Sequence, residues 1–247
     1  MIQNKIEVYT YSERGIINSI IYELFYSNDY SKITAILDMI EPPMAIGKII
    51  NLKIFIEQSF SGFGDPDLIF LIKNEDKDIA IFIEAKVRAA KKDWNLDNQL
   101  KQLKKQLKKF REKKSEYITS NLFSQLYLKQ RLFQAIKNNE DLNGRIQLPL
   151  GFSPKAGKLG DNVVVNKAFN MLGKLDDFYL VMLIPQHKEG IKDFFNELSN
   201  IEYLTETYEG FDVNKIHYLS FEELKDYCKD NLVNSAKIFD YNGEQIV

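Results

Sequence analysis

The sequence predicts an α/β fold, a central mixed β-sheet of about five strands flanked by helices. Three observations predict it. Apolar residues recur at helical spacing early in the chain, then give way to alternation and continuous apolar runs between residues 52 and 87. Those runs are joined by short polar turns, which reads as an antiparallel meander. A further apolar run at 178–186 follows helical segments, so a crossover can bring it in parallel to its neighbour.

The elements follow in order. "SERGIINSIIYELFYS" (12–27) places Ile16, Ile17, Ile20, Ile21, Leu24 and Phe25 at helical spacing, with Ser12 as the expected N-cap and Glu13 in the first turn. "YSKITAILDMIEPP" (30–43) predicts a second helix stopped by Pro42 and Pro43. "LKIFIEQSF" (52–60) alternates as a strand does, and "SGFGDP" is a turn. "DLIFLIK" (67–73) and "DIAIFIEAKV" (78–87) are apolar runs joined by the polar "NEDK".

From Trp94 to about Lys114 the pattern is helical, with Leu96, Leu100, Leu103, Leu107 and Phe110 on one stripe. Helical stretches follow near 119–138 and 161–173, around a Gly- and Pro-rich loop at 143–160. "FYLVMLIPQ" is the fourth strand, "KEGIKDFFNELSN" a short helix, "KIHYLSF" (215–221) a fifth strand and "EELKDYCKD" a helix. No repeat divides the 247 residues, so one domain is expected. Its core would be 10–110 and 178–221, with a helical or loop insertion at about 115–175.

Composition excludes several classes of function. The net charge of -2 does not mark the whole chain as a nucleic-acid binder. Cys228 is the single cysteine, so no internal disulfide forms, as suits a reducing compartment. The start of the chain lacks a basic segment followed by an apolar run, and no stretch approaches about 18 apolar residues. The expectation is therefore a soluble, cytoplasmic protein without a membrane partner. His187 and His217 lie far apart without ligand spacing, which argues against a zinc site. "GFSPKAGKLG" has five residues between Gly151 and Gly157 and Leu159 in place of the hydroxyl, so it is not a Walker phosphate loop.

One stretch carries a cost. "DIAIFIEAKV" reads as a buried strand, yet it holds Glu84 and Lys86 near its end. Each charge, once buried, loses several kcal/mol of hydration. The Glu-x-Lys spacing alone means little, since it recurs at Glu75/Lys77, Glu112/Lys114 and Glu223/Lys225 among other charges. Only Glu84 and Lys86 lie in an apolar strand, on one face of it. If "NEDK" closes a hairpin, Asp67 at the start of one strand meets Glu84 at the end of the next. Asp65 is the alternative, and Asp67 is preferred because it follows Pro66 and opens the apolar run. Two carboxylates that close repel, and a hard divalent cation such as magnesium removes the conflict. Lys86 would then stand where it could orient or deprotonate a metal-bound water. An exposed strand end with both charges in water is the plain alternative.

The segment "DPDLIFLIKNEDKDIAIFIEAKV" resembles the core of the PD-(D/E)XK nuclease superfamily, the restriction-endonuclease-like fold. Pro66-Asp67 and Glu84-Ala85-Lys86 match its signature. The resemblance covers about the first 110 residues and is looser beyond them. It implies a nuclease that hydrolyses phosphodiester bonds of nucleic acid, with DNA the expected substrate and Mg2+ (or Mn2+) the cofactor. It assigns the metal to Asp67, Glu84 and the Ala85 carbonyl. It gives Glu13 a water-mediated or second-metal role, with Glu23 the weaker candidate. Lys86 becomes the group that handles the attacking water, and Gln99, on the following helix, a supporting polar group. Restriction, defence and repair settings are all compatible with it, and a homodimer is left open. A catalytically inactive nucleic-acid-binding or protein-interaction module on the same fold remains the alternative.

Charge is unevenly placed. From Lys86 to Lys114 twelve basic residues face three acids, so the rest of the chain is acidic. Arg88, Lys91 and Lys92, nearest the carboxylates, are the candidates for phosphate contacts, which position a backbone without reading sequence. A solvated, solubilising helix accounts equally well for the remaining lysines.

Overall fold

A computed structural model of the chain describes residues 7–88, 95–112, 121–142, 146, 148, 152, 153, 155–185 and 190–246. The elements, in order, are α1 (Ser12–Ser27), α2 (Tyr30–Asp38), β1 (Asn51–Ile56), β2 (Leu68–Lys73), β3 (Asp78–Ala85), α3 (Leu96–Arg111), α4 (Leu122–Lys137), α5 (Val163–Leu172), β4 (Asp177–Ile184), α6 (Ile191–Ser199), α7 (Leu204–Thr207), β5 (Ile216–Ser220), α8 (Phe221–Asn231), α9 (Val233–Tyr241) and α10 (Gly243–Ile246).

The five strands form one mixed sheet in the order β1-β2-β3-β4-β5. β1, β2 and β3 are the antiparallel meander, and β4 and β5 run parallel to β3. Each parallel strand is reached through helices, because a parallel neighbour needs a long crossover. This is the α/β architecture expected from the sequence, consistent with a restriction-endonuclease-like core.

Strand alternation divides the apolar residues between two layers. Ala80, Phe82, Leu180 and Met182 pack with the buried faces of α3, α4, α5 and α6. Ile79, Ile81, Ile83, Val181 and Leu183 pack on the other side with α1, α2, α8 and α9. With both faces covered, β2, β3 and β4 are buried almost throughout, which explains their continuous apolar runs.

Three local expectations are corrected. Ser12 does not cap α1: Tyr11 holds the N-cap position without a side-chain bond, and Ser12 has φ +73°. The first strand ends at Ile56, not residue 60, because Glu57 turns at φ +51° and Phe60 closes a tight loop onto Gly64. Phe60 is apolar because it fills the core from that loop. α2 ends at Asp38, before the prolines, and Glu41 leaves to exchange both main-chain bonds with Tyr218. His187 lies outside the described residues. His217 is buried, its Nδ1 2.6 Å from the Pro42 carbonyl oxygen, in a structural position. No helix among the described residues is long and apolar enough to cross a membrane.

Candidate active site

Register builds the site. The last β2–β3 pair is Leu68 with Ile83, so one further step sets Asp67 opposite Glu84. Both side chains leave the sheet on the face of Ile69 and Phe82, toward α4. Asp67 is buried and Asp65 exposed, and the register sets Asp67, the preferred candidate, opposite Glu84. Asp67 Oδ2 accepts the Ala85 N–H at 2.8 Å, tying the two strand ends together. Burial first, and the charge of Glu84 second, raise the Asp67 carboxyl to about 6.

Glu84 is 3 % exposed, and each of its oxygens faces an ammonium. Lys86 Nζ donates to Oε1 at 2.9 Å and to the Ala85 carbonyl oxygen at 2.8 Å. Lys129 Nζ lies 3.4 Å from Oε2, which is buried and has no hydrogen-bond partner. At the rim, Arg14 pairs with Glu57 at 3.2 Å and lies 3.9 Å from Asp67 Oδ1. Arg14 is more than half exposed, so this contact contributes little.

Sequence reasoning missed Lys129. α4 has a buried stripe at Leu122, Leu126 and Phe133, and Lys129 falls on it, seven residues after Leu122 and four before Phe133. A lysine in an apolar stripe was the available signal. The stripe does not say what faces it, and here that is Glu84.

The other predicted residues are placed as follows. Glu13, half-buried at the start of α1, is among the charges that raise Asp67. Glu23 is far from this role: it accepts the Ser235 N–H and hydroxyl, both at 2.8 Å, at the start of α9. Arg88 is exposed, with its N–H on the Gln245 carbonyl at 2.7 Å. Lys91 and Lys92 lie outside the described residues. Gln99 is buried, and its Oε1 accepts the Leu122 N–H at 3.2 Å, at the first turn of the helix that carries Lys129. Among the described residues Gln99 has no hydrogen bond to Asp67, Glu84 or Lys86. Gln99→Leu should therefore lower stability by about 1–3 kcal/mol, the cost of a buried orphan N–H, measured by urea denaturation. A loss of turnover at unchanged stability would place Gln99 in the chemistry instead.

The donor set can be tested for a hard cation. No cluster of three or more His, Cys, Asp or Glu suited to a metal occurs among the described residues. The site does bring together two carboxylates and the Ala85 carbonyl, all oxygen donors, and Glu84 Oε2 is a buried oxygen without a hydrogen bond. That set fits Mg2+ or Mn2+, which often bind through one or two carboxylates and keep several waters. Lys86 takes Glu84 Oε1 and Ala85 O meanwhile, as a monovalent cation would.

No family model matches the chain, and neither does any curated protein or solved structure.

Proposed function

We propose that this chain is a Mg2+-dependent phosphodiesterase that cleaves nucleic acid, with DNA as its substrate. The observation that carries the reading is the pairing of buried Asp67 and Glu84 at adjacent strand ends, with Lys86 on Glu84. Buried carboxylates that close are unfavourable without a cation between them. Asp67, Glu84 and the Ala85 carbonyl would hold Mg2+, which supplies charge neutralisation and a more acidic water when bound. Lys86, about a quarter exposed and paired with Glu84, would orient the attacking water and face the charge that grows on phosphate. Water oxygen bonds to phosphorus and gives up one proton, the P–O ester bond breaks, and the leaving oxygen takes up one proton, so that the proton count balances.

A second reading, a binding module without catalysis, has one observation in its favour. Lys86 holds the same two oxygens that a cation would take. The test is incubation of single- and double-stranded DNA and RNA with Mg2+, Mn2+ or chelator, for the wild type and Lys86→Ala. The phosphodiesterase reading expects metal-dependent cleavage, abolished by chelator and lost in the variant. Nucleic acid that is bound but never cut supports the module. Cleavage that survives Lys86→Ala means the chemistry is elsewhere.

A further inference from the structure

The two ammonium groups on Glu84 are not equivalent. Lys86 follows the last residue of β3 and is 23 % exposed, so it can swing away. Lys129 is 3 % exposed and cannot. α4 holds it there: Asn121 and Ser124 form a capping box, and the Gln130 side chain binds the Gly210 carbonyl and the Asp212 N–H. Tyr127 stacks on Tyr208 with ring centres 4.6 Å apart. Gly64 leaves the room, since a Cβ there would lie 2.9 Å from Lys129 Nζ.

A divalent cation held by Asp67, Glu84 and the Ala85 carbonyl would compete with Lys86 for the oxygens that its ammonium now holds. Among the described residues Lys129 would then remain as the lysine on Glu84. A buried positive charge beside the site repels a divalent cation more than a monovalent one. The same charge stabilises negative charge that develops on a bound phosphate.

We propose that Lys129 is the fixed positive charge of this site, a positioning residue that keeps the Glu84 carboxylate aimed while Lys86 is released, and that it weakens cation binding while raising turnover. The turnover half rests on the phosphodiesterase reading; the cation half does not.

The test is Mn2+ titration by calorimetry, without substrate, on the full chain carrying Lys129→Met or Lys129→Gln. Gln keeps a polar side chain at this position but removes the charge. Both variants should bind Mn2+ at least about tenfold more tightly than wild type. Cleavage of duplex DNA at saturating Mn2+ should fall about 10- to 100-fold. A lysine that only stabilised the fold would move the two readouts together or not at all. Unchanged or weaker Mn2+ affinity in the folded variants overturns the proposal, and so does failure of both to fold. A wild type that binds Mn2+ but cleaves nothing removes the phosphodiesterase reading and leaves the affinity prediction standing.

Discussion

Glu84→Ala should lose both activity and stability. Mg2+-dependent cleavage should drop by about 10²–10³-fold or more, the usual loss when a group that organises transition-state charge is removed. Stability should fall by about 3–5 kcal/mol, read from urea denaturation at constant m-value, because the substitution breaks a buried pair from one side. The reason is Lys129, whose side chain is 3 % exposed and which would lose its acidic partner among the described residues. Lys86 suffers less, since its partly exposed side chain can turn to water. A double variant, Glu84→Ala with Lys129→Met, should therefore recover much of the lost stability without recovering cleavage. Additive stability losses would mean that the two side chains do not interact, and the site as described would be wrong.

The unequal roles of these two lysines mark the line between what the sequence could and could not tell. The pairing of Asp67 with Glu84 was legible because it depends only on local rules. A short polar turn fixes a hairpin register, and a period of two fixes which face each side chain takes. The apolar runs of β2, β3 and β4 were legible for a similar reason, as strands covered on both faces carry few polar positions. Lys129 was not legible, because a helical stripe reports a direction and not the group at the end of it. Its partner lies 45 residues earlier, across the crossover that makes β4 parallel. Gln99 shows the same limit. It is buried near the expected place, but its recorded bond is to the first turn of α4, a choice made by helix packing. α9 went unread because its anchor, Glu23, lies more than 200 residues earlier in the chain.

Asp67→Asn should have the opposite effect on stability, and the effect should depend on pH. Burial and the neighbouring Glu84 raise this carboxyl from 3.8 to about 6 in the folded chain. A folded state that holds the proton more tightly than the unfolded chain is favoured at low pH. The contribution is present in full below about pH 4 and is lost as the pH rises through 6. The span corresponds to about 3 kcal/mol, since one pKa unit is about 1.4 kcal/mol. Asparagine removes the ionisation and can still accept the Ala85 N–H. The variant should thus gain up to about 3 kcal/mol over wild type at pH 8, with the gain shrinking toward zero near pH 4. Chemical denaturation of both proteins across that range measures it. Mg2+ adds a second handle: it should stabilise the wild type at pH 8, by mass action on the folded state, and barely affect the variant. Cleavage should be lost in Asp67→Asn even where the fold is most stable. A more stable chain that does not cut is what a carboxylate kept for a cation, at a cost in stability, predicts; an equally stable, equally active variant would remove Asp67 from the site.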